Sequence, residues 1–172
     1  MSLCYIVGAG GFNASAFSPS ENDFIIAADG GLYHLDSIGI KPSLLVGDFD
    51  SLSVAPKDIK TVKHNPIKDD TDSMLCIKEG LSRGYKDFRL FGCSDKRLDH
   101  TLANIQSLAF LAEHDAFGII VGENENICVI KNQSISFSDK ASGFISLLSL
   151  GDLAEGINLT NLKYPLKDAV VS

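Results

Sequence analysis

The sequence of 172 residues predicts an α/β protein, an open and mostly parallel sheet followed by a small antiparallel β-domain. Three observations carry this. Short apolar runs ending in glycine recur, as strands buried on both faces require. Stretches with apolar residues at helical spacing lie between them. After "GENEN" (residues 122–126) the texture changes to short alternating segments broken by Asn, Gly and Asp, with no convincing helix.

Taken in order, "CYIVGAG", "FIIAADGG" and "LLVGD" are the first strands, and "FRLFG" and "GIIVG" repeat the pattern further on. "GLYHLDSIG" is a helix closed by Gly39, with Pro42 just beyond. "TVKHN" is a short strand before "TDSMLCIKEGLSRG", a helix capped by Asp70 or Thr71, with Met74, Ile77 and Leu81 on one face. "LDHTLANIQSLAFLAEH" sets Leu98, Leu102, Ile105, Leu108, Ala109 and Ala112 at helical spacing. Residues 1–122 are therefore expected to form the α/β domain and 123–172 the β-domain, with strands such as "SISFS". So short a second part is expected to lean on the first domain or on another subunit.

A net charge of −7, with 15 basic residues scattered, offers no stripe for a nucleic-acid backbone. The longest apolar runs fall short of a membrane span, and the N-terminus lacks the order of a signal peptide, so the cytoplasm is the expected location. The four cysteines, Cys4, Cys76, Cys93 and Cys128, stand apart without metal-ligand spacing and read as buried thiols.

In an open parallel sheet, ligands sit beyond the carboxyl ends of the strands. Asp29 follows "FIIAA", Asp48 and Asp50 follow "LLV", Asp69 and Asp72 follow "TVKHN", and Asp99 follows "FRLFG". Successive crossings thus deliver carboxylates to one edge. Like charges gathered this way repel unless a cation holds them, and magnesium suits a site of a few carboxylates completed by water and phosphates. Each aspartate also has a plainer reading, as a turn residue or a helix-start anion.

Gly10 and Gly11 after the first strand, and Gly30 and Gly31 opening a helix, stand where a phosphate would meet bare backbone. "GAGGFN" has Asn13 where a dinucleotide fingerprint has its third glycine, and no P-loop motif occurs. Lys68, Lys96 and Arg97 stand beside the acidic loops, well placed for phosphate oxygens. His100 and Asn104 are four apart on the helix that Asp99 opens and share a face, whereas His34, His64 and His114 have no such company.

Together, "AADGG", "GDFDS", "KDDTDSMLCI", "RLDHTLANI" and "NLKYPL", in this order and spacing, resemble the thiamin pyrophosphokinase (thiamin diphosphokinase) family. The resemblance implies an α/β domain binding ATP and magnesium, a C-terminal β-domain, and a homodimer with thiamin between subunits. It implies transfer of pyrophosphate from ATP to the thiamin hydroxyl, releasing AMP. The family's acidic positions fall on Asp29, Asp48, Asp50, Asp69, Asp72 and Asp99, with Asp70 the variable residue and Thr71 the threonine of D-x-T-D. Arg97, Asp99, His100 and Asn104 match its R-x-D-H-x-x-x-N pattern. On this basis Asp48, Asp50, Asp72, Asp99 and Arg97 are the expected catalytic residues, and Asp48, Asp50, Asp69 and Asp72 the metal ligands. Gly10, Gly11, Asp29, Gly30, Gly31, Lys68, Asp69, Thr71, His100 and Asn104 are the expected contacts to the nucleotide.

The segment before Arg97 reads "GCSDKRLDH", without the family's glycines. Family members continue past "KYPL" through strands carrying a G-x-S-N element that has no equivalent here, so the β-domain is expected to be C-terminally incomplete. Two alternatives stand beside this reading. "VGDFDS" could be the nucleophilic D-x-D of a haloacid-dehalogenase-like phosphotransferase, with Asp48 phosphorylated, although the intervening glycine and the want of a later lysine followed by an acidic pair argue against it. The other is a non-catalytic, nucleotide-binding paralogue.

Overall fold

A computed structural model describes residues 2–48, 58–63, 70–94 and 97–172. Two compact units divide the chain, Met1–Ser134 and Ile135–Ser172.

Among the described residues the first unit holds seven strands and three α-helices, with a single 3-10 turn at Ala14–Ala16: β1 (Cys4–Val7), β2 (Phe24–Ala28), α1 (Gly31–Ser37), β3 (Leu44–Gly47), β4 (Thr61–Lys63), α2 (Asp72–Ser82), β5 (Asp87–Phe91), α3 (Leu98–Glu113), β6 (Phe117–Val121) and β7 (Asn126–Cys128). The sheet order is β4-β3-β2-β1-β5-β6-β7, parallel throughout except where β7 runs antiparallel to β6. The chain thus winds outward from β1 through β2, β3 and β4, then returns to add β5 on the other side. The reversal opens a crevice between the ends of β1 and β5, the place where open α/β sheets bind ligands.

Side-chain alternation along the strands explains the layers. Cys4, Ile6, Ile26, Leu44, Phe88 and Leu90 join one buried cluster with Leu75, Cys76 and Ile77 of α2 and Leu108 and Leu111 of α3. Tyr5, Val7, Ile25, Ala27, Leu45 and Phe91 join another with Leu32 and Leu35 of α1. Both faces of the sheet are covered, hence the near-continuous apolar runs. Gly39 ends α1 as expected, with φ +70 and the Ile40 N–H donating to Leu35 O at 3.0 Å.

Several expectations are corrected. On α2 the fully buried positions are Leu75, Cys76, Ile77 and Gly80, with Met74 and Leu81 only partly covered. On α3, Leu98 and Leu102 are 75% and 53% exposed, and Asn104 and Ser107 are buried beside Leu108, Leu111 and Ala112. The first unit runs past the expected 122/123 division because β7 pairs with β6 through a turn in which the Gly122 N–H donates to Glu125 O at 3.0 Å.

The second unit is a two-stranded antiparallel ribbon, β8 (Ala154–Leu159) and β9 (Leu166–Val171). "SISFS" is not a strand, and no residue of this unit is fully buried; Phe144, Leu148 and Tyr164 are open to solvent. Cys4, Cys76 and Cys93 are buried free thiols and Cys128 is half-buried. No helix among the described residues is long and apolar enough to cross a membrane.

Candidate active site

A cavity of about 680 Å³ opens beyond the strand ends of the first unit. Its walls are Gly8, Ala9 and Gly10 after β1, Ala28 and Asp29 at the end of β2, Asp70 to Ser73 at the start of α2, Gly92 to Ser94 after β5, and Arg97, His100, Thr101 and Asn104 on α3.

The back wall is backbone against backbone. The Gly8 N–H donates to Phe91 O at 2.8 Å, the Gly10 N–H to Gly92 O at 2.7 Å, and the Gly11 N–H to Ser94 O at 3.2 Å. A Cβ on Gly10 would stand 2.5 Å from Ser94 O, and one on Gly92 2.1 Å from Gly8 O. The glycines let two loops interlock, and this corrects the expectation that Gly10 and Gly11 aim their N–H groups at an anion. Gly30 and Gly31 are buried and do not line the cavity; a Cβ on Gly31 would fall 1.8 Å from Val7 O, so this residue lets α1 press against β1.

Asp29 is a non-glycine residue at φ 43, in the left-handed region, where aspartate is among the better tolerated types at a cost of roughly 1 kcal/mol. Its N–H donates to Val46 O at 2.8 Å, and its carbonyl accepts from the Leu32 N–H at 3.2 Å. Strain of this kind gathers at functional sites. On the adjoining strand Gly47 explains the break before the acidic pair: a Cβ there would come within 3.1 Å of the Asp29 Cβ. Asp48 follows, half-buried, outside the lining set.

Thr71 caps α2 by accepting from the Met74 N–H at 3.2 Å, which places Asp72 in the first turn, where the helix dipole favours an anion. Asp70 pairs with Lys78 at 2.6 Å. Asp50, Lys68, Lys96 and Asp69 lie outside the described residues. Among the described residues no three His, Cys, Asp or Glu side chains gather closely enough to form a metal cluster.

At the lip, Arg97 grips Asp99 with both arms of its guanidinium, at 3.1 and 2.5 Å, in full solvent. That bond holds the Asp99 carboxyl below the usual range and raises Arg97. His100 is exposed. Asn104, 5% exposed, donates its Nδ2 proton to Cys93 O at 2.7 Å, so its amide ties α3 to the β5 loop. The Cys93 thiol, 3.8 Å from Ser73 Oγ, is pushed up to about 11 by burial. Ser73, Cys93, Ser94 and Thr101 line the cavity without having been singled out. Spacing held a signal for Thr101, which lies four residues after Arg97 and three before Asn104.

A volume in this range takes an organic ligand of nucleotide size. Carboxylates from the end of β2 and the start of α2 and a guanidinium from the start of α3 border it, a charge arrangement suited to a polyanion held with a cation.

Comparison with known proteins adds the following. A family model described as the thiamin pyrophosphokinase catalytic domain matches residues 18–120. The thiamine pyrophosphokinase of Bacillus subtilis (strain 168) is 26% identical over 160 residues, 88% of this chain and 74% of the relative. The fold matches a crystal structure of thiamine pyrophosphokinase from Bacillus subtilis with TM-score 0.85 at 24% identity, covering 99% of this chain and 85% of that one. It also matches one from Geobacillus thermodenitrificans with TM-score 0.79 at 23% identity, covering 99% and 83%.

Proposed function

Because the chain belongs to the thiamin pyrophosphokinase family, a family of transferases, we propose that it moves the pyrophosphoryl group of ATP onto the hydroxyl of thiamin, giving thiamin diphosphate and AMP. The observation that carries this reading is the cavity at the β1/β5 reversal, lined by Asp29 after β2, Asp70 and Asp72 at the start of α2, and Arg97 at the start of α3. The aspartyl-phosphate and non-catalytic alternatives gain nothing from these relatives.

In this reaction the thiamin hydroxyl oxygen bonds to the β-phosphorus of ATP, the bond from that phosphorus to the α–β bridging oxygen breaks, and the hydroxyl proton passes to a carboxylate. Catalysis at phosphorus is mostly positioning and charge neutralisation. Arg97 leaves Asp99 for the phosphate oxygens, as a guanidinium suits them in a bidentate way. Asp72 or Asp99 orients the hydroxyl and takes its proton. The cationic thiazolium of thiamin is drawn to the acidic cleft.

Magnesium takes hard oxygen ligands and completes its shell with phosphates and water, and the Asp72 carboxylate on the cavity wall is a donor of that kind. Asp48, Asp50, Asp69 and Asp72 are the residues we assign to hold it, with Asp29, Lys68, Thr71, His100 and Asn104 around the nucleotide. Once bound, the ion neutralises charge on the phosphate oxygens. The exposed Phe144, Leu148 and Tyr164 of the second unit support a homodimer that covers them, with thiamin bound by that unit. A cytoplasmic location goes with ATP as substrate.

Incubation of the full chain with ATP, magnesium and thiamin, followed by chromatography, is expected to yield AMP and thiamin diphosphate in equal amounts. ADP with thiamin monophosphate, or no product, would contradict the proposal.

A further inference from the structure

We propose that His34 is a positioning residue that sets the shape of the Gly8–Phe12 loop from behind and so the affinity of the cavity for the triphosphate. The second half of this inference rests on the functional reading above. His34 stands in α1, half-buried, away from the cavity lining. Its Nε2 lies 3.0 Å from Gly10 O, and since a carbonyl can only accept, this nitrogen carries the proton. The imidazole also stacks on Phe12, ring centroids 5.0 Å apart and planes 17° from parallel. Phe12 in turn packs against Phe17 and Phe91, at 5.4 and 6.0 Å, in the buried cluster on the α1 face of the sheet.

The loop is thereby held from two directions. Its N–H groups reach forward to Gly92 O and Ser94 O. Its Gly10 carbonyl is held behind by His34 and its Phe12 ring is clamped between His34 and the core. A peptide plane is rigid, so fixing the Gly10 carbonyl also fixes the direction of the Gly11 N–H that meets Ser94 O. Chain flexibility is greatest at a run of glycines, and an outside anchor is what such a loop lacks by itself. A pre-shaped wall is not reorganised on binding, and that raises affinity without touching the reacting atoms.

The test is residue-resolved amide hydrogen exchange on the unliganded chain, together with steady-state kinetics. With one backbone-directed hydrogen bond lost, His34→Ala is expected to raise exchange at Gly10 and Gly11 by about tenfold and to raise the KM for ATP several-fold, with kcat within about twofold of wild type. His34→Gln, which can present an amide donor to the same carbonyl, is expected to recover most of both. Phe12→Leu, which removes the stack and keeps the donor, is expected to raise exchange at the same two amides, and judges the inference should His34→Ala not fold. Unchanged exchange at Gly10 and Gly11 in His34→Ala and Phe12→Leu, or a fall in kcat at unchanged KM in His34→Ala, would overturn it. A wild-type chain that forms no AMP would end the functional reading and leave the exchange data to judge the role of His34 in the loop.

Discussion

On one side of the cavity backbone meets backbone, with Gly8, Gly10 and Gly92 packed too closely for any Cβ; on the other, charged side chains stand in solvent, Arg97 on Asp99 and Lys78 on Asp70. The first side is a rigid wall whose hydrogen bonds are internal. The second is a rim of ion pairs that solvent screens and that can exchange partners when a polyanion arrives. Shape and stability therefore reside in the wall, and ligand chemistry in the rim.

Substitutions can break that division if it is wrong. The largest effect is expected at Gly31, where a new Cβ would meet Val7 O at 1.8 Å: Gly31→Ala should cost about 3 kcal/mol of stability, read by thermal unfolding. An unchanged melting temperature would show that α1 can step away from β1, and the packing behind the wall would not be rigid. Next is the acidic side. Asp48→Asn is expected to lower AMP release at least about tenfold, as loss of a metal anchor does. Its melting temperature should stay within about 2 °C of the parent, because an isosteric change at a half-exposed position usually alters folding little. A large melting shift would move Asp48 from the ligand side to the structural side.

Thr71 sits at the boundary, since its hydroxyl caps α2 while the helix carries Asp72. Thr71→Ala should cost about 1 kcal/mol in unfolding experiments and also weaken nucleotide binding, whereas Thr71→Ser should restore both. The smallest effect on stability is at the lip. Arg97 holds the Asp99 carboxyl below its ordinary range, so Arg97→Gln should move the Asp99 titration upward in NMR-detected pH curves. A carboxyl depressed in the folded state stabilises above its unfolded pKa, and that contribution fades as pH falls through the folded value. Because both groups are solvent-exposed, the unfolding curves of parent and variant should nearly superimpose from neutral pH to pH 4.

How far the sequence could be read follows the same division. Strands of the sheet were legible because burial on both faces demands unbroken apolar runs, and the Gly39 cap because its neighbours in sequence make it. The face of α3 was misread at its start. Apolar spacing chose Leu98 and Leu102, but Asn104 and Ser107 turn inward, each satisfied by a carbonyl, at Cys93 and Ala103 respectively. Hydrophobic periodicity cannot register a polar residue whose partner is backbone. "GAGG" reads alike whether its glycines face a phosphate or another loop; the deciding contacts lie some eighty residues away, at Gly92 and Ser94. "SISFS" alternates as a strand does, yet forms no strand among the described residues. His34 gave no local sign, because its partners Gly10 and Phe12 precede it by a strand and a turn.

Paramagnetic broadening of amide signals by manganese bound with a non-hydrolysable ATP analogue tests the central claim most directly. If the crevice at the β1/β5 reversal receives the metal and its triphosphate, the signals of Ala9, Asp72 and Ser94 should broaden at the lowest concentrations of the complex, while those of Lys86 and Asp115, before the starts of β5 and β6 at the other end of the sheet, stay sharp. Broadening that begins instead at the separate hollow lined by Ile40, Lys41 and Asp58, with Ala9 and Asp72 unaffected, would contradict it.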